Sequence, residues 1–389
     1  MWLNKIFIKL KWIIIAEIDY WKLKKNLKKI ISLNQEIYVV FSHEADSSGG
    51  APVVLFDTAK SIKKDGKYVI FLYKRGGNLI EKCKNYGMDA YVYESHLERY
   101  IKILSNNSIK CTIVNTVVCG ECVEKMQSIV DTPIIWWIHE IDELVNRFSY
   151  TFPRNLNSNV YIRGVSEKSC QAMKKYYNSS IKIMHYGCKD IYDKYKQNWN
   201  LSRGIDNKKD KNYNIVVIGQ ICERKNQLQV FNAYDLLPQE LKKAINITFV
   251  SATWNSEYKS KFDERLKKYS NMKFINGIPR EEMYKVYFSA NLLLCPSKQD
   301  PLPVVVTEAM MLKCPVLISS GCGQYKYIKN NYNGFCYDYK QDINLVMALK
   351  NSYNQRYDLE IVNKARQLYL TEFSLSNVKE EIYNCLKKK

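Results

Sequence analysis

The sequence predicts an α/β protein made of two doubly wound domains that face a central cleft. Short runs rich in β-branched and aromatic residues alternate with stretches of helical periodicity, which is typical of βαβ units and parallel sheets. A polar segment without periodicity, residues 197–212, interrupts this alternation once, and the alternation then starts again. The length of 389 residues suits two domains of ordinary size.

Twelve runs are predicted as strands, six on each side of the interruption. They are residues 37–42, 68–73, 112–118, 134–138, 160–165 and 181–184, followed by 214–218, 245–250, 272–275, 292–295, 315–318 and 335–337. Helical spacing lies between them, at residues 53–64, 97–104, 225–236, 257–269, 281–289 and 304–312. Ligands of such sheets bind beyond the carboxyl ends of the strands, so candidate site residues are sought there.

These elements divide the chain into five segments. A basic amphipathic segment (1–34) precedes a first domain (35–196), a linker (197–212) and a second domain (213–370). A C-terminal helix (371–389) follows and could cross back to the first domain.

The composition excludes several classes of protein. A formal charge of +20, from 59 Lys and Arg against 39 Asp and Glu, indicates an anionic partner, although part of the lysine excess could be compositional drift. Nucleic acid is not expected as that partner, because no nucleic-acid-binding module is present. The 12 cysteines accompany a long chain without a signal peptide, so we expect reduced thiols and a cytoplasmic location. Cys119 and Cys122 form a lone CxxC with no further ligands at matching spacing, and we expect no metal.

The N-terminal segment, residues 1–34, has the pattern of a basic amphipathic helix. It carries eight Lys against Glu17 and Asp19, with bulky apolar residues between them. These charges interrupt it too often for a transmembrane span. Two interpretations stay open: the helix lies in the interface of an anionic membrane, or it packs on the first domain with its lysines in solvent.

A glycine-rich loop follows the first predicted strand. Gly49 and Gly50 come just before a helix that opens near Pro52, so backbone amides there could approach an anion, or the loop could be a purely structural turn. His43 directly follows the strand and could contact a substrate. His139 ends the apolar run 134–138, where it is either a site residue or a buried structural histidine.

Two cations follow the first strand of the second domain. Gly219 ends that strand, and Arg224 and Lys225 stand at the entrance of the next helix. Positive charge beside a helix N-terminus favours a pyrophosphate group, because charge and dipole add. The alternative is a solvated basic turn.

Two carboxylates flank the start of the helix predicted at 304–312. Asp300 lies on the loop before it, and Glu308 lies near its second turn. Amides of Leu302 and Val304 would face the same ligand, whereas Pro301 and Pro303 have none. Carboxylates accept from hydroxyl groups and amides donate to phosphate, so the arrangement suits a phosphorylated, polyhydroxylated ligand.

Together these stretches resemble retaining glycosyltransferases of family 4, of the bacterial surface-polysaccharide type. That family has the GT-B fold, with two Rossmann-like domains. The likeness covers about residues 37–340 in order and spacing. It is carried by residues 295–319, similar to the E-x7-E signature, and by residues 42–52, 181–192, 219–226 and 272–297.

The resemblance implies a role for each matching residue. The first domain would bind the acceptor, with His43, Gly49 and Gly50 near it and His139 near the transferred sugar. The second domain would bind a nucleotide-diphosphate sugar. Arg224 and Lys225 would hold the diphosphate, Asp300 would contact the transferred sugar and Glu308 the ribose. The other donor-binding positions are Gly219, Gly277, Ile278, Leu302, Pro303 and Val304.

The family implies no metal and no cofactor besides the donor substrate. This sequence departs from its pattern where Asp300 replaces the usual Glu and where Pro301 and Pro303 replace common glycines. We interpret these changes as a change of donor specificity, with loss of activity as the alternative.

The expected activity is transfer of a hexosyl-type sugar, with retention of configuration, to a glycan or lipid-linked acceptor of cell-surface polysaccharide synthesis. The expected place is the cytoplasm or the inner face of the cell membrane. A non-catalytic GT-B binding subunit and a nucleotide-sugar epimerase are the alternatives.

Overall fold

Parallel β-sheets organise both halves of the computed structural model, which describes residues 2–47, 49–105, 109–202, 212–356 and 358–387. The chain forms two units, residues 1–187 with 375–389, and residues 188–374. Each unit contains one sheet with helices between successive strands. The prediction of two doubly wound parallel-sheet domains is therefore confirmed.

The first unit has a seven-stranded sheet of order β3-β2-β1-β4-β5-β6-β7. Its strands are β1 (Ile37–Glu44), β2 (Tyr68–Arg75), β3 (Asp89–Val92), β4 (Ile109–Asn115), β5 (Ile134–Ile138), β6 (Val160–Gly164) and β7 (Lys182–Ile183). Its helices are α1 (Trp2–Ser32), α2 (Gly50–Lys64), α3 (Leu79–Asn85), α4 (Leu97–Ser105), α5 (Gly120–Gln127), α6 (Asp142–Phe148), α7 (Glu167–Lys174) and, at the chain end, α16 (Leu375–Lys387). The strand order reverses between β1 and β4, and ligands of such sheets bind at this reversal.

The second unit has a six-stranded sheet of order β10-β9-β8-β11-β12-β13. Its strands are β8 (Tyr213–Ile218), β9 (Ile245–Ser251), β10 (Met272–Asn276), β11 (Leu292–Cys295), β12 (Val316–Ser319) and β13 (Phe335–Tyr337). Its helices are α8 (Tyr192–Ser202), α9 (Gln227–Asp235), α10 (Gln239–Ala244), α11 (Ser256–Leu266), α12 (Met283–Ser289), α13 (Val304–Met311), α14 (Asp342–Asn354) and α15 (Leu359–Glu372). Here the order reverses between β8 and β11.

Apolar strands explain why both sheets are covered on two faces. The central strand β1 is buried from Ile37 to Ser42, and β5 (IIWWI) is buried throughout. Such continuous apolar runs, rather than alternating ones, are typical of parallel sheets between helical layers. The strand β3 was missed by the sequence analysis, because its four residues (DAYV) begin with Asp89 and form no continuous apolar run.

The predicted linker is partly wrong. Residues 197–202 belong to α8, and residues 203–211 lie outside the described part of the chain. The helix α8 belongs to the second unit, whereas the sequence placed residues up to 196 in the first domain. The reason is local packing: the Tyr195 ring stacks on Tyr284, with 3.8 Å between ring centroids, and Asp190 pairs with Arg366 at 2.8 Å.

The predicted C-terminal helix starts later than residue 371, because residues 371–372 still belong to α15. α15 ends at Glu372, and α16 begins at Leu375 and belongs to the first unit. There Lys379 Nζ lies 2.8 Å from an Asp65 carboxylate oxygen, and the Tyr383 hydroxyl donates to the same carboxylate at 2.7 Å.

The N-terminal helix α1 packs on the first unit, as one of the two open interpretations required. Its inner face buries Ala16, Tyr20, Leu23, Leu27 and Ile30. Among the described residues no helix is both long enough and apolar enough to cross a bilayer.

Candidate functional site

The carboxyl ends of β8 and β11, with the loops that follow them, form the second-sheet edge. Gly219 ends β8 with φ of +144°, a conformation that favours glycine, and its amide donates to Val250 at 3.0 Å. A 3-10 turn over Glu223–Lys225 follows, so Arg224 and Lys225 precede α9 instead of opening it. This turn sets the Lys225 side chain over Gly219, within 3.6 to 3.7 Å of where a Cβ would be.

Lys225 forms an ion pair with Asp300 at this edge. Both side chains are mostly buried, at 13% and 10% exposure, and Lys225 Nζ donates to Asp300 Oδ2. Burial acts against the charged ammonium, but the Asp300 carboxylate outweighs it, and the pKa of Lys225 is raised. Arg224 is half exposed and lies 3.9 Å from the same carboxylate oxygen. Two cations therefore flank one carboxylate.

Backbone hydrogen bonds hold these residues in place. The Lys298 amide donates to the Arg224 carbonyl at 2.8 Å, which ties the turn after β8 to the loop after β11. The Asp300 amide donates to Gly321 at 3.1 Å, and the Gly323 amide donates to Asp300 at 2.9 Å. A side chain at 321 would meet the Ser297 carbonyl at 2.0 Å, so this close approach requires glycine.

The helix α13 begins just after this loop. Pro303 is its N-cap, and Val304 is its first residue. The first-turn amides of a helix have no carbonyl partner within the helix and carry its positive dipole end. Leu302 and Pro303 are buried. The cations of the turn after β8 thus pair with Asp300 on the loop after β11, which leads into the N-terminus of α13.

Glu308 lies in the second turn of α13 and already has two partners. The Tyr287 hydroxyl donates to Glu308 Oε2 at 2.8 Å, and Arg280 lies 3.6 Å from Oε1. Tyr287 is fully buried, and burial with the nearby Glu308 charge raises its pKa. Sequence reasoning missed Tyr287 and Arg280, because nothing in their local pattern shows a contact 21 or 28 residues away.

Gly277 ends β10 with φ of +74°, and its amide donates to Ser251 at 2.9 Å. Ile278 follows and is partly exposed. Both were predicted as donor-binding positions, and that role stays a prediction.

The carboxyl ends of β1, β4 and β5 form the first-sheet edge, and it has a different chemistry. Four side chains there have buried polar atoms without a hydrogen-bond partner among the described residues: His43 (Nδ1), Asn115 (both amide atoms), Thr116 (Oγ1) and His139 (Nε2). Asn115 and Thr116 are completely buried, and Thr116 has a positive φ of 73°. Buried polar atoms are rarely left unpaired, so this edge suits a ligand with hydroxyl groups.

Both histidines at this edge are neutral at ordinary pH. Burial, and then the repulsion that a protonated His43 would exert, lowers the pKa of His139 to about 3. Burial also lowers the pKa of His43. The imidazole of His139 lies between Trp137 and Tyr186, with ring centroids 5.0 and 6.3 Å away.

Glu140, which sequence reasoning did not single out, braces this edge. Its Oε2 accepts from the amides of Val117 and His139, each at 3.1 Å. Burial raises the pKa of Glu140 to about 7 despite these two bonds. The carboxyl group thereby links the loop after β4 to the loop after β5.

The glycine-rich loop opens α2. Gly49 is the N-cap of that helix, Gly50 is its first residue and Pro52 lies in its first turn. Among the described residues no cluster of three or more His, Cys, Asp or Glu could hold a metal ion. The site roles predicted for the individual residues of both edges stay predictions.

Comparison with known proteins places a family model on each unit. Residues 34–185 match the model described as glycosyl-transferase family 4, and residues 200–367 match glycosyl transferases group 1. An uncharacterized glycosyltransferase, MJ1607 of Methanocaldococcus jannaschii, is 30% identical over 115 residues. That match spans 29% of this chain and 29% of the relative.

Solved structures match nearly the whole chain at low sequence identity. Alr3699/HepE of Anabaena, solved with UDP and glucose, has a TM-score of 0.73 and 14% identity, covering 90% of this chain and 99% of that one. A glycosyltransferase of Rickettsia africae has a TM-score of 0.73 and 14% identity over 92% and 100% of the two chains. WaaG, involved in lipopolysaccharide biosynthesis, has a TM-score of 0.67 and 15% identity over 88% and 98%. The chain therefore has the GT-B fold, and each of its two units matches a model of glycosyltransferase domains.

Proposed function

We propose that this protein transfers a sugar from a nucleotide-diphosphate sugar to a glycan or lipid-linked acceptor, with retention of configuration. The observation that carries the proposal is the second-sheet edge, where Arg224, Lys225 and the start of α13 surround one buried carboxylate. The matches to two glycosyltransferase models support the reaction class. The HepE structures contain UDP and UDP-glucose, which supports a nucleotide-sugar donor here.

The chemistry of the leaving group explains the two cations. Breaking the bond at the anomeric carbon moves an electron pair onto the diphosphate oxygen, so negative charge grows there in the transition state. Fixed positive groups stabilise the transition state, with its larger charge, more strongly than the ground state, and this lowers the barrier. In this proposal Lys225 is shared between Asp300 and the diphosphate, and Arg224 joins from its half-exposed position.

The two carboxylates would recognise hydroxyl groups. Glu308 accepts from the ribose, with Tyr287 fixing its orientation. Asp300 accepts from the transferred sugar, for which the neutral imidazole of His139 is a second proposed partner. Retention of configuration rests on the family resemblance alone, and so does a role in cell-surface polysaccharide synthesis at the inner membrane face.

The test is a thermal-shift and calorimetry screen with UDP, GDP and TDP and their sugars. We expect one nucleotide to bind, and its sugar to be hydrolysed slowly or transferred. Glu308→Gln is expected to weaken that binding at least tenfold, since a hydrogen bond to a charged group contributes about 1.5–3 kcal/mol. Glu264→Gln, an exposed carboxylate on α11, is the matched control.

Four results would count against the proposal in different ways. Absence of binding across the panel would favour a different, non-donor role for the fold. Nucleotide binding without hydrolysis or transfer would favour a binding subunit, and conversion of the donor without acceptor or hydrolysis would favour an epimerase. Unchanged affinity in Glu308→Gln would contradict the ribose assignment.

A further inference from the structure

The helix α1 has an apolar outer face that its own unit leaves uncovered. Large side chains on this face are exposed by half or more, and they recur every three or four residues: Phe7 (67%), Leu10 (50%), Ile14 (61%), Ile18 (50%) and Trp21 (54%). This spacing places them on one side of the helix. A contiguous apolar row of this kind usually marks an interaction surface. The family 4 match begins only at residue 34, so α1 precedes the shared domain.

The inner face of α1 anchors the helix firmly. Glu17 accepts hydrogen bonds from Arg99 and Trp21, and His96 Nε2 lies 3.0 Å from its carboxylate. The Arg99 hydrogen bond lowers the pKa of Glu17 to about 2, so this carboxylate stays charged. Asp19 accepts from the Val92 amide at 3.0 Å. Both acids of the helix thus bind groups of the first unit outside α1, and Glu17 also accepts from Trp21 of the outer face.

The lysines of α1 stay in solvent. The exposed ones that take part in none of the described ion pairs are Lys9, Lys11, Lys24, Lys25, Lys28 and Lys29. Lys25 and Lys28 continue the same side of the helix beyond Trp21, four and seven residues on. The outer surface is therefore apolar toward the N-terminus and cationic toward the C-terminus. Glu17, which is 41% exposed and accepts from Trp21 of this face, already pairs with Arg99.

We propose that this outer face of α1 docks a bilayer that contains anionic lipids, with the helix lying in the plane of the interface. Apolar side chains would enter the acyl boundary, Trp21 would sit at headgroup level and the lysines would meet lipid phosphates. A second copy of the chain fits the surface less well. Parallel pairing of two such faces would bring the lysines of both copies together, and antiparallel pairing would set the lysines of each copy against the apolar row of the other. An anionic bilayer satisfies the apolar row and the charge at once.

Contacts from α1 lead to the glycine-rich loop of the first unit. Trp12 packs directly on the backbone of Gly76, where a Cβ would lie 2.4 Å from its ring. Two residues on, the Asn78 amide donates to the Ser47 hydroxyl at 2.8 Å and accepts from the Ser47 amide at 3.0 Å. These contacts connect the inner side of α1 to the loop that carries Gly49 and Gly50. Resting on the proposed function, docking of α1 on a bilayer favours an acceptor held in the same bilayer by a lipid anchor.

The test is co-sedimentation of the full chain with vesicles. Vesicles of phosphatidylcholine with phosphatidylglycerol are compared with pure phosphatidylcholine, at about 0.1 M salt, where the Debye length is about 10 Å. The variant Leu10→Gln/Ile14→Gln/Ile18→Gln removes the apolar row. The control Leu236→Gln/Ile343→Gln/Met347→Gln removes three equally exposed apolar side chains from the second unit.

We expect the native chain and the control to bind the anionic vesicles at least tenfold more tightly than the neutral ones. The variant of the apolar row should lose at least tenfold in vesicle affinity. The inference is overturned if the native chain does not bind, if the α1 variant binds equally, or if light scattering finds a dimer that the α1 variant dissolves. Circular dichroism and nucleotide binding without vesicles check each variant. Because nucleotide binding needs no membrane, a failure there would contradict the proposed function and leave this inference standing.

Discussion

The two sheet edges share one topology but differ in how their polar groups are paired. In both units the strand order reverses between the first strand and the fourth, and polar side chains gather at the carboxyl ends there. At the second-sheet edge the charged groups are paired with one another, as in Lys225 with Asp300. At the first-sheet edge neutral groups such as Asn115 and His139 lie buried with polar atoms that have no described partner.

This difference matches what each edge is proposed to bind. A diphosphate needs cations, and cations buried without a counter-charge are costly, so a carboxylate keeps them paired until the ligand arrives. Sugar or acceptor hydroxyl groups need neutral donors and acceptors, which can wait unpaired at a cost of about 1–3 kcal/mol each. The unpaired groups of the first-sheet edge thus lower the stability of the fold, whereas the ion pairs of the second-sheet edge largely avoid such a loss.

The largest effect is expected from Lys225→Ala. Loss of a fixed cation at the developing charge should lower turnover by about a hundredfold to a thousandfold, with a smaller loss in donor affinity. Steady-state kinetics and calorimetry on the same preparation measure the two. Lys243→Ala, an exposed lysine at the end of α10, is the matched control.

A second variant separates catalysis from stability. Lys225→Ala leaves Asp300 buried beside Arg224 alone, whereas adding Asp300→Asn removes that unpaired charge. The double variant should regain stability and still turn over slowly. If turnover is unchanged and only donor affinity falls, Lys225 contributes simple ground-state binding and the comparison between the edges loses its catalytic meaning.

Glu140 gives the next effect, through pH. Its folded pKa of about 7 lies above the ordinary 4.5, so between these pH values the folded state holds a proton that the unfolded chain has lost. The free energy of unfolding must therefore fall as the pH rises through that window, by at most about 3 kcal/mol. Glu140→Gln keeps an acceptor oxygen for both amides and has no proton to lose, so this fall should disappear.

Urea unfolding at several pH values from 5 to 8 measures this fall in the free energy of unfolding. Glu143→Gln, an exposed carboxylate on α6, should leave the native pH dependence in place. If the free energy of unfolding changes with pH in the same way for the native chain and for Glu140→Gln, the pKa of Glu140 is not raised. The contrast between Glu140, held by amides alone, and Asp300, paired with cations, would then fail.

The sequence allowed the fold and the second-sheet edge to be predicted for a physical reason. Parallel strands are continuous apolar runs, and their ends are marked by glycine, proline and charge, so Gly219, Lys225 and Asp300 stand out locally. A strand without a continuous apolar run is not found in this way, and β3 is such a strand. The predicted linker also failed, because α8 is held by tertiary contacts such as that between Tyr195 and Tyr284, and its own sequence is polar.

The first-sheet edge could be predicted only in part. His43 and His139 were visible as rare residues at strand ends, but Asn115 and Thr116 end a strand as ordinary polar residues would. Their significance depends on the lack of a partner, which is a three-dimensional property. Glu140 was overlooked for the same reason, since its two amide donors lie on separate loops.

The smallest effect, and the most direct test of the contrast between the edges, is expected from Asn115→Leu. Replacing a buried amide that has no described partner with an apolar side chain of similar shape should raise the free energy of unfolding by about 1 kcal/mol. Sugar transfer should slow while nucleotide affinity stays unchanged. Asn159→Leu is the matched control: the Asn159 amide donates to Val130 and Thr132 at 2.7 and 3.0 Å, so its loss should destabilise the fold. If Asn115→Leu destabilises the chain as much as Asn159→Leu does, the Asn115 side chain is hydrogen-bonded in solution. The first-sheet edge then does not keep this amide unpaired for a ligand.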